Sequence, residues 1–232
     1  MDDPLALVAD GLWFRFSGRL WVAYDMAVKP AGMAAAFFLD PVMIEGRECA
    51  RTWLRALTTI PLPVGERIRA LVADGFRGCR MIARQRGWIL QRCHRHLDAK
   101  LLGPPGRRRN VRGAAVREAV RDAIREARST ADPKRAAELC RELAVHAGHP
   151  ELSRRIAGVI RRFLHDIALY RAYLDHPELE LPTTTNAVES RHSRLRSTVS
   201  GVNNPQAVIL RIRAYTRLHP SITCNGHKNP QN

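Results

Sequence analysis

The chain predicts a mixed α/β fold, with an antiparallel meander followed by parallel strands and the sheet interrupted by an all-helical insertion. Three observations carry this. Leu5–Phe16 and Arg19–Val28 are rich in β-branched and aromatic residues around a tight-turn Ser17-Gly18. Helical and strand patterns then alternate up to residue 102. From Arg107 to about Tyr173 the periodicity is helical throughout.

The elements follow in order. In the second run Leu20, Val22, Tyr24, Met26 and Val28 alternate with the other face, and Ala34–Leu39 ends at Asp40-Pro41 as a third strand. Between Gly46 and Leu57 one helical stripe holds Cys49, Ala50, Trp53, Leu54 and Leu57. Strand Ala70–Ala73, a helix over about Phe76–Gln85 and strand Trp88–Cys93 come next. Gly103-Pro104-Pro105-Gly106 punctuates the change of region, giving a core over 1–102, an insertion over 103–178 and a closing segment over 179–232. Helices are expected near Val111–Ser129, Pro133–Ala147 and Pro150–Tyr173, then at about Thr185–Ser197 and Pro205–Leu218. The tail from Ser221 reads as polar and frayed. The four tryptophans are assigned to packing.

The 232 residues carry 38 basic and 22 acidic side chains, a formal charge of +16. Such a surface draws polyanions, nucleic acid first. The five cysteines are odd in number and scattered, so no disulfide framework is implied. The acidic start is no signal peptide, and the longest apolar stretch is too short to span a bilayer. A cytoplasmic, nucleoid-associated protein without a membrane partner is expected.

The pentapeptide Leu-Val-Ala-Asp-Gly occurs at Leu7–Gly11 and again at Leu71–Gly75. Each apolar run delivers an aspartate and then breaks at a glycine, which places a carboxylate at the open end of a buried strand. Asp-Gly is also ordinary turn chemistry, so either aspartate alone is weak evidence. A third acid, Glu189, shares a helix face with Asn186, Ser193 and Arg196 behind capping threonines at 183–185. Asp25 and Asp40 rank below these. Clustered carboxylates repel one another and persist only if a cation or proton compensates them.

Four motifs follow one another along the chain: Leu7-Val8-Ala9-Asp10-Gly11; Gly46-Arg47-Glu48 with Trp53; Asp74-Gly75 running to Cys93-His94-Arg95-His96; and Thr184-Thr185-Asn186-Ala187-Val188-Glu189. In this order they resemble the catalytic part of a Mutator-like bacterial insertion-sequence transposase, which has a ribonuclease H-like fold and a DDE triad. The resemblance implies that Asp10, Asp74 and Glu189 are catalytic and bind metal, with two Mg²⁺ or Mn²⁺ ions. It implies DNA as partner, both transposon ends and target, with a homo-oligomer on that DNA. Asn186, Arg191, Arg194 and Arg196 would stand beside the phosphates, and Cys93 and His96 would shape the site or hold end DNA. Arg107, Arg108, Arg109 and Arg112 are a further DNA-binding cluster read from charge, whereas Arg117, Arg121, Arg125 and Arg128 interleave with acids and read as a solvated, ion-paired face. A zinc site of Cys93, His96, Cys224 and His227 is conceivable on spacing but not expected. His94 reads as a surface or phosphate-contact residue rather than a ligand. Asp10 lies close to the start with no helix-turn-helix before it, so a truncated form lacking the N-terminal DNA-binding domain is expected. The alternatives are a non-enzymatic DNA-binding remnant and a ribonuclease H-like nuclease.

Overall fold

A computed structural model describes residues 3–102 and 113–224. Strands β1 (Leu5–Phe16) and β2 (Arg19–Pro30) pair antiparallel along their whole length, with Phe16 opposite Arg19. Ser17 and Gly18 between them have φ of 46° and 79°, the double positive φ of a type I′ turn, whose twist suits the flanking strands. β3 (Ala35–Phe38) continues the meander beside β2. β4 (Val42–Glu45), which the sequence reading did not separate, pairs with the other half of β2. β5 (Ile68–Ala73) runs parallel to β1, and β6 (Ile89–Arg92) parallel to β5. The tail is not frayed at its start: β7 (Ser221–Thr223) adds antiparallel to β3, and the order is β6-β5-β1-β2-β3-β7.

The chain divides into two units, Met1–Arg92 with His176–Asn232, and Cys93–Asp175. In the first, the mixed sheet is covered on both faces. Helix α1 (Ala50–Leu57) sets Trp53 edge-on to Tyr24, with ring centroids 4.6 Å apart, and stacked on Phe76 at 4.5 Å. After the short α2 (Leu62–Gly65), α3 (Cys79–Arg86) connects β5 to β6. On the other face α8 (Asn186–Thr198) and α9 (Pro205–Leu218) pack Leu195, Val199, Val208 and Ile212 onto Leu12, Phe16 and Ala23. That second layer is why β2 does not alternate buried with open: Val22 to Lys29 is buried without a break, Asp25 included. Trp53 is core as expected, but Trp13 is 45% exposed.

The second unit is helical: α4 (His94–Leu102), α5 (Ala114–Ser129), α6 (Pro133–His146) and α7 (Arg154–Asp175). Val120, Ile124, Leu139, Leu143, Ile160 and Phe163 form its core. It opens at Cys93 rather than at residue 103, because α4 packs with α5 and α7. Asp132 caps α6, accepting from the Lys134 N–H at 2.9 Å, with Pro133 at the first helical position. No helix among the described residues is long and apolar enough to cross a membrane.

Candidate active site

The two copies of the pentapeptide lie side by side. In the parallel pairing of β1 with β5, Leu7 faces Leu71, Val8 faces Val72 and Ala9 faces Ala73. Asp10 and Asp74 therefore follow as neighbours where β5 ends. Only one copy stops there. β1 continues to Phe16 because β2 partners it throughout, so Asp10 sits in mid-strand and not at the strand end the sequence suggested.

The glycines after the two aspartates do different work. Asp74 Oδ1 accepts from the Phe76 N–H at 2.8 Å, and Gly75 turns the chain with φ of 93°. A Cβ at Gly75 would overlap the Arg92 guanidinium, whose Nη2 donates to the Asp74 carbonyl at 3.2 Å. Gly75→Ala is thus expected to destabilise by about 1–3 kcal/mol through left-handed strain and displacement of Arg92, read as a lower urea midpoint. Gly11 instead allows close approach. A Cβ there would stand 3.0 Å from Glu48 Oε1 and 3.2 Å from Val22, so the Glu48 carboxyl lies against the β1 backbone immediately after Asp10.

Glu48 is the acid that the sequence reading passed over as a site residue. Its Oε1 accepts from Trp53 Nε1–H at 2.8 Å. Burial pushes its pKa up to about 7; the charges of Asp74 and Asp10 add to the rise, and the Trp53 hydrogen bond opposes it. The signal available was the motif itself: an acid just ahead of a helix whose tryptophan is core.

Glu189 stands on α8, in the opposite layer. Thr185, fully buried, precedes α8 and donates its hydroxyl to Glu189 Oε1. One turn further along the helix, His192 Nδ1 is 3.6 Å from Asp10 Oδ2. Since residues three apart share a helix face, Glu189 lies on the side of α8 that meets β1.

Behind Asp10 runs a buried line of charge. Asp25 faces Asp10 across β1 and β2 and is 1% exposed. His192 Nε2 is 3.5 Å from Asp25 Oδ2, and Arg191 Nη1 is 3.5 Å from Asp25 Oδ1. Neither Asp25 oxygen makes a hydrogen bond. Arg191 was expected beside a phosphate; it is instead turned into the core, its guanidinium 4.0 Å over the Phe38 ring and hydrogen-bonded to the Thr216 hydroxyl. Burial lowers its pKa, and Asp25 acts against that. Asn186, Arg194 and Arg196 are exposed on the same helix.

The other expected contacts divide. In the helical unit Cys93 is buried, and His96 Nδ1 lies 3.4 Å from its Sγ. His94 is no surface residue; it is buried with Nε2 2.7 Å from the Tyr170 carbonyl. The α5 stripe is paired in part by its interleaved acids, Arg121 with Glu118 and Arg125 with Asp122, but Arg128 is buried rather than solvated and binds Asp98 of α4 through both terminal nitrogens at 3.0 Å. Arg107, Arg108, Arg109, Arg112 and His227 lie outside the described residues.

Asp10, Asp74 and Glu48 offer oxygen donors only. Such carboxylates suit hard divalent cations that retain water, Mg²⁺ or Mn²⁺. The raised proton affinity of Glu48 reflects, in part, an excess of negative charge that such a cation would compensate. No protein-family model matches the chain, and no curated protein matches it.

Proposed function

We propose that this chain is a ribonuclease H-like DDE core of the Mutator-like transposase type, cleaving and joining DNA with Mg²⁺ or Mn²⁺. One observation carries the reading: the repeated pentapeptide pairs with itself in parallel register, so that Asp10 and Asp74 become neighbours. The helix bearing Glu189 packs against the same strand. Asp10, Asp74 and Glu189 would bind the metal, with Glu48 beside them. Bound divalent ions supply an activated water and charge neutralisation at phosphorus. The chain's own residues provide the rest. Thr185 fixes the Glu189 carboxylate, His192 abuts Asp10, and the exposed Arg194 and Arg196 are available to phosphates. Transposon ends and target would be the DNA partners, engaged by a homo-oligomer.

The test is nicking and strand transfer on plasmid DNA in Mg²⁺ or Mn²⁺, comparing wild type with Asp10→Asn, Asp74→Asn and Glu189→Gln. A loss of on the order of 10³-fold or more in each folded variant is expected, since each removes a metal-binding charge. Joined products identify a transposase, and cleavage without joining identifies a nuclease. DNA binding by a folded wild type without metal-dependent cleavage would make the chain a binder and overturn the catalytic reading.

A further inference from the structure

α7 carries an arginine face, one member of which, Arg161, donates Nη2 to the Ala147 carbonyl at 3.5 Å. Arg154, Arg155, Arg161 and Arg162 are all exposed, while Ile156, Val159, Ile160 and Phe163 on the opposite side are buried in the core of the helical unit. Two turns separate the pairs, about 10 Å along the axis. Gly158 lies between them, and a Cβ there would meet nothing within 4 Å. The first turn of this helix holds no acid. It holds two arginines instead, where the positive end of the helix dipole disfavours cations.

The contrast with α5 matters. There three of the four arginines are matched, Arg121 with Glu118 and Asp122, Arg125 with Asp98 and Asp122, and Arg128 with Asp98; Arg117 is not among them. Among the described residues, none of the four α7 arginines makes an ion pair, although Glu151 stands just ahead of them. A solvated helix face is ordinarily laced with opposite charges. This one is left positive.

We infer that the α7 face of Arg154, Arg155, Arg161 and Arg162 binds the phosphate backbone of duplex DNA. Charge complementarity identifies the occupant, and its form follows from what the face lacks. Single strands are held largely by aromatic stacking platforms; this face presents arginines and a glycine but no Phe, Tyr or Trp, and its one ring, the His165 imidazole, is tied to Asp166 at 2.6 Å. Gly158 lets the backbone of the duplex approach the helix closely. The contacts position DNA without reading its sequence. The inference rests on charge and surface chemistry, not on metal-dependent catalysis.

The experiment measures binding of a fluorescent DNA duplex by anisotropy in EDTA, over a range of salt, using the full chain. The quadruple variant Arg154→Ala, Arg155→Ala, Arg161→Ala and Arg162→Ala is compared with wild type, with all four changed to Lys, and with the paired-stripe control Arg121→Ala with Arg125→Ala. Circular dichroism and thermal melting check folding; these side chains are exposed, so little change is expected. Neutralising four phosphate contacts should reduce the salt slope by about 3–4 and weaken binding at least about tenfold near 0.15 M salt. The lysine variant should keep most of the slope, and the control should lose about one or less. An unchanged slope in the quadruple variant overturns the inference, as does an equal loss in the control. Binding of an RNA duplex or of single strands in preference to duplex DNA overturns the choice of occupant. EDTA separates this result from the cleavage assay, so either reading can fail alone.

Discussion

Arg191→Ala is expected to cost on the order of 3–5 kcal/mol of folding stability, the usual consequence of removing one partner of a buried ion pair. Arg191 and Asp25 have side chains only 2% and 1% exposed. Without the guanidinium, Asp25 keeps only the His192 ring beside it, and the Thr216 hydroxyl and the Phe38 ring lose a partner. For a chain of this size that is a fall of roughly 10 °C in melting temperature. Asp25→Asn should be costly for the mirror reason, leaving a buried cation. The double variant Asp25→Asn with Arg191→Met should lose less than the sum of the singles, because it removes both charges together. DNA binding discriminates this from a phosphate-contact role. At a temperature where Arg191→Ala is still folded, its salt slope should match wild type, whereas Arg194→Ala with Arg196→Ala should lower the slope by about one per contact made. A stable Arg191→Ala with a reduced slope would place the guanidinium on the surface and refute the buried arrangement.

Arg191 also marks where sequence reading stops. On helical spacing it belongs with Arg194 and Arg196 as one of three basic residues following Glu189. Its direction is set by Val188 and Leu195, the buried neighbours three before and four after it on α8. No local rule decides that a guanidinium joins such a stripe when a carboxylate lies in the opposing strand. Asp25 was legible as an acid in an apolar strand but not as a buried one, because the alternation of β2 implies one open face. Only the packing of α8 and α9 closes it. α9 spans the expected Pro205–Leu218, since 3.6-residue periodicity and the Asn204-Pro205 start are local signals, whereas α2 and α4 were not anticipated. β4 and β7 were missed because each is short and defined by its strand partner rather than by composition. The register of the repeat was the non-local fact with a sequence signature: identical residues pairing in parallel. Glu48 had none beyond its motif, because its role depends on Gly11 leaving room for it.

That room leads to the second large effect. In metal-free protein, stability should fall as pH rises from about 5 to 8, and Glu48→Gln should flatten much of the fall. The sign follows from proton binding. Glu48 titrates at about 7 in the folded chain against its ordinary 4.5. Between those values the folded state holds more protons than the unfolded state, so stability declines with pH across that window and the loss is complete above about 7. Each pKa unit carries about 1.4 kcal/mol; with discount for the partly exposed site, the expected fall is about 1–2 kcal/mol. Asp74→Asn should act in the same direction by removing a charge that raises the Glu48 pKa. Both substitutions should therefore raise the metal-free melting temperature at pH 8 by a few degrees. Both should also shrink the stabilisation that Mn²⁺ gives wild type, because a cation that binds only the folded state stabilises it in proportion to its affinity. The cluster would thus be held at a cost to the empty fold, which is what carboxylates kept together for a cation imply. Thermal melts of the three proteins at pH 5 and pH 8, with EDTA or with Mn²⁺, measure all of this. Variants less stable than wild type at pH 8 in EDTA, with the Mn²⁺ shift intact, would make these carboxyls ordinary structural groups and remove the electrostatic ground for a metal centre at the end of β5.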